Sequence, residues 1–269
     1  MVDRCIKWAG WIFLILIMLC PCLLLYYSFP LIKKTSISEI FFSTWNPDNH
    51  IFGLYSFIIT SFLIGILSTI ISFIIGFGVS VNIYLSKSKL LKNFITFMTG
   101  IPTVVYAFIG LLVLVPIVRK YTPSPTGLSI FTVVIVLSIL ILPTIVLYIV
   151  ETFDTVSLEI RETALSLGAT EEQFLKKILI PHSSRGIAIS FILGFGRAIS
   201  DTMVALILSG NSLNTPNSIF SSARALTSHI ALLMPGEFDS LEFKSIFFSG
   251  LIFIFIMLLL NILIRKFEK

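Results

Sequence analysis

Long runs of apolar residues, separated by short polar stretches, are the main pattern along the chain. Crossing about 30 Å of hydrocarbon takes about 20 helical residues, and six of the runs are long enough. They predict membrane-spanning helices at residues 8–29, 53–83, 94–118, 128–150, 187–209 and 245–264. The pattern therefore predicts an all-α, polytopic membrane protein with about six transmembrane helices.

The composition supports this class and excludes others. Of 269 residues, 56% are hydrophobic and 12% are charged, whereas a soluble domain has about 45–50% apolar and about 25% charged residues. So little charge does not cover a water-facing surface of this length, which excludes an ordinary soluble enzyme, a disordered chain and a disulfide scaffold. The net charge is +5, but no basic run with interleaved aromatics lies in a soluble region, so we expect no nucleic-acid partner.

Lysine and arginine residues are distributed unevenly between the two sets of loops. Twelve lie near the two termini and in residues 87–92 and 161–185, whereas six lie in the alternate loops. Because basic residues favour the cytoplasmic side, we expect both termini to be cytoplasmic. Two connections are long, the cytoplasmic 151–186 and the outer 210–244. In the outer one we expect a helix from Ser218 to Leu233.

The cytoplasmic loop 151–186 has the pattern of two helices joined by a tight turn. Apolar and charged residues alternate at helical spacing from Ser157, and Gly168 is placed to end that helix in left-handed geometry. Thr170 and Gln173 form a capping-box pattern that predicts a second helix from Glu171 to about Leu179, which stops before Pro181. This helix pair could serve as a docking element for another subunit. The alternatives are an amphipathic pair that lies on the membrane surface and a solvated connector.

The same loop resembles the EAA loop of ABC importer permeases. That family pattern has Glu-Ala-Ala, a glycine after three more residues, and an Ile-x-Leu-Pro ending after a further nine. The matching residues, with Thr163 in place of one Ala and Ile180 in place of Leu, are Glu162, Thr163, Ala164, Gly168, Ala169, Thr170, Ile178 and Pro181. The resemblance implies that a short coupling helix in this loop fits a cleft on a separate ATPase subunit.

The predicted fifth span contains the charged residues Arg197 and Asp201. An arginine at the middle of a bilayer costs at least about 2.5–3.5 kcal/mol, so intramembrane charges usually have a function. In a continuous helix residues four apart share a face, and the two charges would neutralise each other. We therefore expect an Arg197–Asp201 pair. It either stabilises helix packing or holds Arg197 ready to meet an anion.

The run GRAISDTMVALILSGN, from Gly196 to Asn211, resembles the fifth-span segment of the PstC family of bacterial phosphate importer permeases. Two other stretches agree with that family, Gly100–Pro116 and Ala223–Ala231. The family usually carries Glu where this chain has Asp201, which shortens the side chain by one methylene. The resemblance implies a substrate pathway that includes Arg197, Asp201 and Thr202. It divides the chain into an N-terminal helix with its outer loop (1–50) and a permease domain (51–269).

Partners follow from the same resemblance. The sequence has no G-x-x-x-x-G-K-[ST] motif for nucleotide phosphates and no metal-ligand spacing among its three histidines. We expect no catalytic residue, cofactor or metal site in this chain, with ATP-Mg on a partner ATPase. The resemblance implies a second permease, two ATPase copies and an extracytoplasmic phosphate-binding protein, assembled in membrane lipid. Molybdate, tungstate or sulfate transport, a passive channel and a membrane sensor subunit are the alternatives.

Overall fold

The computed structural model describes residues 2–268, which are mostly helical. A two-stranded antiparallel hairpin pairs β1 (Trp45–Asn46) with β2 (Ile51–Phe52). The helices are α1 (Val2–Lys34), α2 (Ile37–Phe42), α3 (Tyr55–Ser86), α4 (Lys89–Thr99), α5 (Thr103–Tyr121), α6 (Ile130–Asp154), α7 (Leu158–Ser166), α8 (Glu171–His182), α9 (Ser184–Ser200), α10 (Met203–Leu208), α11 (Leu226–Leu233) and α12 (Leu241–Glu268).

Helices α1, α3, α5, α6 and α12 are long and apolar enough to cross a membrane. The pair α8 and α9 makes a sixth candidate span, which is bent by 67°. The predicted all-α membrane fold with about six spans is therefore confirmed. The side on which the termini lie stays a prediction, because the structure contains no membrane.

The third span begins later than the sequence predicts. Residues 94–99 belong to α4, a separate amphipathic helix, and the span α5 starts only at Thr103. Pro102 lies between them with ψ of 139°. A residue before proline avoids helical geometry, so Ile101 cannot continue α4. The break leaves non-helical backbone at Gly100–Pro102, beside the span.

The predicted fifth span, 187–209, is also interrupted. Helix α9 ends at Ser200, Asp201 has the extended ψ of 121°, and α10 begins at Met203. The prediction of one continuous helix is wrong here. An Asp side chain can bond to nearby backbone N–H groups and thereby favours a helix start over a helix interior.

Small polar residues let α3, α6 and α9 pack closely at the centre of the protein. The hydroxyl of Ser80 on α3 donates to the carbonyl of Val146 at 3.2 Å, and that of Ser138 on α6 donates to the carbonyl of Ser68 at 3.2 Å. Small side chains allow helix backbones to approach, and hydroxyls join them across the interface. Helix α6 is the central element, with two thirds of its most apolar stretch buried.

The outer loop folds over the hairpin, with His229 at the contact. The predicted helix from Ser218 to Leu233 is shorter than expected, since only Leu226–Leu233 is helical. The fully buried His229 ring stacks on Phe57 at 4.4 Å between centroids and meets Trp45 edge-on at 4.5 Å. Burial, and secondarily the charge of Arg224, lowers the pKa of His229 to about 3. The imidazole therefore remains neutral at physiological pH.

Close packing of α9 against α6 predicts a difference between two glycines of α9. A Cβ on Gly186 would lie 2.3 Å from Thr152 Cγ2 and 2.9 Å from its Cβ, whereas one on Gly196 would meet Leu260 at 3.6 Å. Gly186→Ala is expected to lower the free energy of unfolding by about 1–3 kcal/mol, because the helices must separate. Gly196→Ala is expected to be neutral or to gain up to about 1 kcal/mol from helix propensity. Thermal unfolding in detergent measures both, and equal Tm values for the two variants would contradict the packing.

Candidate functional site

The break after α9 places Asp201 at the start of α10. Its side chain is 8% exposed, and Oδ1 accepts a hydrogen bond from the backbone N–H of Val204 at 2.8 Å. The hydroxyl of Thr227 on α11 donates to the carbonyl of Asp201 at 3.3 Å. The Asp201 carboxylate thus serves as a helix cap, and α11 covers the irregular backbone.

The expected Arg197–Asp201 pair does not form. Among the residues whose side chains the structure describes (8 and 10–267), the ion pairs are Lys92–Asp154, Arg161–Glu171 and Lys176–Glu172. The i, i+4 geometry requires a helix through residue 201, but α9 has already ended and Asp201 turns toward the N–H of Val204. Arg197 therefore presents an exposed guanidinium with no carboxylate within 4.0 Å in the described part of the chain, and Asp201 acts on it only through a longer-range attraction.

Arg197 lines a cavity of about 260 Å³ beside the break at Gly100–Pro102. The hydroxyl-bearing residues of its wall are Thr99, Thr103, Tyr106 and Thr144, from α4, α5 and α6. Tyr106 donates its hydroxyl hydrogen to the carbonyl of Met98 at 3.0 Å, which joins α5 to the end of α4 across the break. One cation and several hydroxyls therefore converge on a single space.

The sequence did not identify the threonines of this cavity. Thr99 and Thr144 lie far from Arg197 along the chain, and no periodicity connects them. Only a short sequence feature marks two of these threonines, because each follows a proline. Thr103 follows Pro102, where a helix restarts, and Thr144 follows Pro143 within α6. Of the predicted pathway residues, only Arg197 lines the cavity, while Asp201 and Thr202 lie at the helix break after it.

The cavity has the chemistry of an oxyanion site. A guanidinium donates hydrogen bonds in a planar fork that matches two oxygens of a tetrahedral anion. The hydroxyls of Thr103 and Thr144 add donors of adjustable direction. Those of Thr99 and Tyr106 already donate to the carbonyls of Thr96 and Met98, and their oxygens can accept from a protonated anion. An arginine without a carboxylate partner is available for such a ligand.

The cytoplasmic loop has the predicted helix–turn–helix structure. Gly168 ends α7 with φ of +87°, which confirms the left-handed position. Thr170 Oγ1 accepts from the N–H of Gln173 at 3.2 Å and the Gln173 side chain accepts from the N–H of Thr170 at 3.0 Å, so the capping box is confirmed. An ion pair between Arg161 and Glu171 joins α7 to α8.

Helix α8 does not stop before Pro181 as predicted. It continues to His182 through a π-helical segment, Leu175–Leu179, in which the N–H of Ile180 bonds to the carbonyl of Leu175. A wider turn accommodates a proline that lacks its own N–H and would crowd the preceding carbonyls. The same arrangement, Gly110–Leu114, precedes Pro116 in α5.

The loop has an anchored face and an open face. Ala164, Phe174 and Leu179 are buried in the main core, with Ala169 and Ile178 packed beside them. The residues Glu159, Glu162, Thr163, Ser166 and Leu167 line an open depression, and Leu167 is 83% exposed. Gly168 and Thr170 are exposed at the turn between α7 and α8, and Pro181 is exposed near the end of α8. This open face is accessible to the ATPase subunit that the sequence resemblance implies.

Comparison with known proteins gives a family match over most of the chain. The family model described as "Binding-protein-dependent transport system inner membrane component" matches residues 72–269. The probable ABC transporter permease protein YqgH of Bacillus subtilis is 34% identical over 241 residues, covering 85% of this chain and 77% of that protein. The phosphate transport system permease protein PstC of Haemophilus influenzae is 28% identical over 223 residues, covering 74% and 71%.

The fold is also similar to a solved structure. A chain of the MetNI methionine ABC transporter, in an inward-facing conformation, superposes with a TM-score of 0.62 at 13% identity. The match covers 80% of this chain and 96% of that one. At this identity the likeness concerns the fold alone.

Two substitutions separate a capping role of Asp201 from an ion-pair role. Asp201→Ala is expected to lower the free energy of unfolding by about 0.5–2 kcal/mol, because the N–H of Val204 loses its acceptor. Asp201→Asn keeps a good capping oxygen without the charge and should unfold within a few tenths of a kcal/mol of the wild type. Chemical unfolding in detergent measures both. An Asn variant as unstable as the Ala variant would favour the ion pair.

Proposed function

Because the chain belongs to the family of binding-protein-dependent transport system inner membrane components, we propose that it is a permease subunit of an ATP-driven importer of inorganic phosphate. The observation that carries the substrate assignment is the cavity that Arg197, with no carboxylate within ion-pair distance, lines together with Thr103 and Thr144. The phosphate transport permeases among its relatives support phosphate as the anion. Arg197 would bind the anion or gate its passage.

The coupling loop would transmit the energy of ATP hydrolysis from a separate subunit. In this proposal one of two ABC ATPase copies docks on the open face of α7 around Glu162 and Leu167, and the other docks on the second permease. Closure of the ATPases on binding ATP moves the loop and turns the pathway outward, and hydrolysis returns it inward. ATP and Mg²⁺ belong to the ATPase, and this chain contributes no catalytic residue.

Two further partners complete the proposed assembly. A second permease pairs with this chain, and the exposed Arg197 surface then becomes part of a pathway between the two subunits. An extracytoplasmic phosphate-binding protein delivers the anion to the outer face. Import of molybdate, tungstate or sulfate uses the same cavity chemistry and is the alternative. A passive channel or a sensor subunit would show no ATP-dependent flux.

Replacement of Arg197 tests the substrate assignment. Arg197→Ala is expected to reduce ATP-dependent uptake of labelled phosphate at least about tenfold, since a hydrogen bond to a charged group contributes roughly 1.5–3 kcal/mol. Arg197→Lys keeps the charge but loses the planar fork and should retain part of the uptake.

Arg119 provides the matched control, because it is exposed at the end of α5 and does not line the cavity. Arg119→Ala is expected to transport phosphate normally. All variants are first checked for assembly with the ATPase by copurification. Unchanged uptake by an assembled Arg197→Ala complex would overturn the role of Arg197.

Substitutions at Gly168 test whether the loop docks the ATPase, because they change only the backbone geometry of the turn. A Cβ at this position meets no atom within 4 Å, so a substitution acts through the positive φ. Gly168→Val is expected to distort the turn at a cost of at least about 1–2 kcal/mol and to reduce ATPase copurification. Gly168→Asn adds a polar side chain that tolerates left-handed geometry and should copurify almost normally. Normal ATPase yield with the Val variant would contradict docking at this turn.

A further inference from the structure

A second cavity, also of about 260 Å³, lies at the end of the molecule that carries the coupling loop. It is formed by the end of α3, the start of α4, the end of α6 and the start of α7. Four cationic side chains line it: Lys87, Lys89, Lys92 and Arg161. The structure thus brings together two basic segments that the distribution of lysine and arginine residues already assigned to the same side of the membrane.

The carboxylates near this cavity compensate only part of its charge. Lys92 lies 3.8 Å from Asp154, with both side chains about half exposed, and Arg161 pairs with Glu171. In the described part of the chain, Lys87 and Lys89 have no carboxylate within ion-pair distance. Two positive charges are therefore left at the cavity without a protein partner.

The backbone at the start of α4 also favours the binding of an anion in this cavity. Lys87 is in the left-handed region, with φ of 49°, and forms the turn between α3 and α4. Ser88 caps the N–H of Leu91, so the first N–H groups of α4 lie beside the lysines. The start of an α-helix carries positive partial charge and favours anions.

The remaining walls are apolar, and the neighbouring helix is suited to a membrane surface. Ile83 and Val150 form the inner wall and are nearly fully buried. Along α4, Leu90, Phe94 and Phe97 are 82%, 58% and 69% exposed at helical spacing. A helix with exposed apolar residues on one face and lysines at its start lies in the membrane interface.

We infer that this cavity binds one anionic phospholipid of the cytoplasmic leaflet. The headgroup phosphate lies between Lys87, Lys89 and the start of α4, and the acyl chains extend into the bilayer surface on which the opposite, apolar face of α4 rests. Basic pockets at the cytoplasmic ends of transmembrane helices bind anionic headgroups in this way. Free inorganic phosphate shares the anion but gains nothing from the apolar wall of Ile83, Val150 and Leu158, so the apolar lining favours the lipid.

Such a lipid would contact both the membrane domain and the coupling loop. Arg161, on α7, lines the same cavity and is joined through Glu171 to α8. An occupied site therefore connects the turn between α3 and α4 with the loop proposed to carry the ATPase. The inference does not depend on which anion the protein transports.

Lipid binding to the purified full-length chain, with any copurifying subunits, tests the inference. Native mass spectrometry follows a titration with phosphatidylglycerol or phosphatidylcholine in detergent micelles. The wild type is expected to retain one phosphatidylglycerol tightly and to prefer it to phosphatidylcholine. In the double variant Lys87→Gln/Lys89→Gln the affinity for phosphatidylglycerol should fall about thirtyfold, or about fivefold for each lysine removed.

The double variant Arg265→Gln/Lys266→Gln is the matched control. It removes two charges from the end of α12, where both side chains are exposed and neither lines the cavity. This control should retain phosphatidylglycerol as the wild type does. Size-exclusion profiles and Tm without added lipid check folding, and the single lysine variants replace the double one if it unfolds.

Three results would overturn the inference. The first is equal phosphatidylglycerol affinity in the wild type and the Lys87/Lys89 variant. The second is an equal loss in the α12 control, which would indicate general surface charge. The third is displacement of the lipid by inorganic phosphate but not by chloride at the same ionic strength, which would assign the cavity to the free anion.

Discussion

Backbone hydrogen bonding in hydrocarbon is the constraint on which the rest of this structure depends. Water is absent there, so every N–H and C=O group must find a partner inside the protein. The chain departs from helical geometry at Gly100–Pro102 and at Asp201–Thr202 and supplies partners at both places. Tyr106 reaches across the first break, and the Asp201 side chain with Thr227 covers the second. Both breaks adjoin Arg197, so the covered irregular backbone surrounds the proposed anion site.

The fold connects the coupling loop to that site through one rigid element. Helix α9 starts just after the loop, carries Arg197 in its last turn, and packs on α6 along its length. Its 17 residues span about 25 Å at 1.5 Å per residue. A displacement of α7 by an ATPase would pass to α8 through the Arg161–Glu171 ion pair and reach the cavity through α9, which is bent by 67° against α8. This link gives a physical route for the proposed coupling.

Much of the fold follows from local sequence patterns, because each span and each turn is specified by adjacent residues. The capping box at Thr170 and the left-handed Gly168 needed only a few neighbouring positions. The relation between Arg197 and Asp201 was predicted wrongly because two local rules compete there. Spacing of four favours a pair on one helix, whereas an Asp side chain also stabilises a new helix start, and the second rule prevails. The hydroxyls of Thr99 and Thr144 depend on packing of separate helices, which one sequence does not encode in any short pattern.

In the proposed function, this chain carries phosphate across the membrane while a partner subunit hydrolyses ATP. The most direct test is uptake of labelled phosphate by cells that lack their own phosphate importers and express this chain with its partner subunits. Excess molybdate, tungstate or sulfate competes with the label. For a phosphate importer, we expect uptake that requires ATP and resists these competitors. An assembled complex that hydrolyses ATP but takes up no phosphate would contradict the assigned substrate.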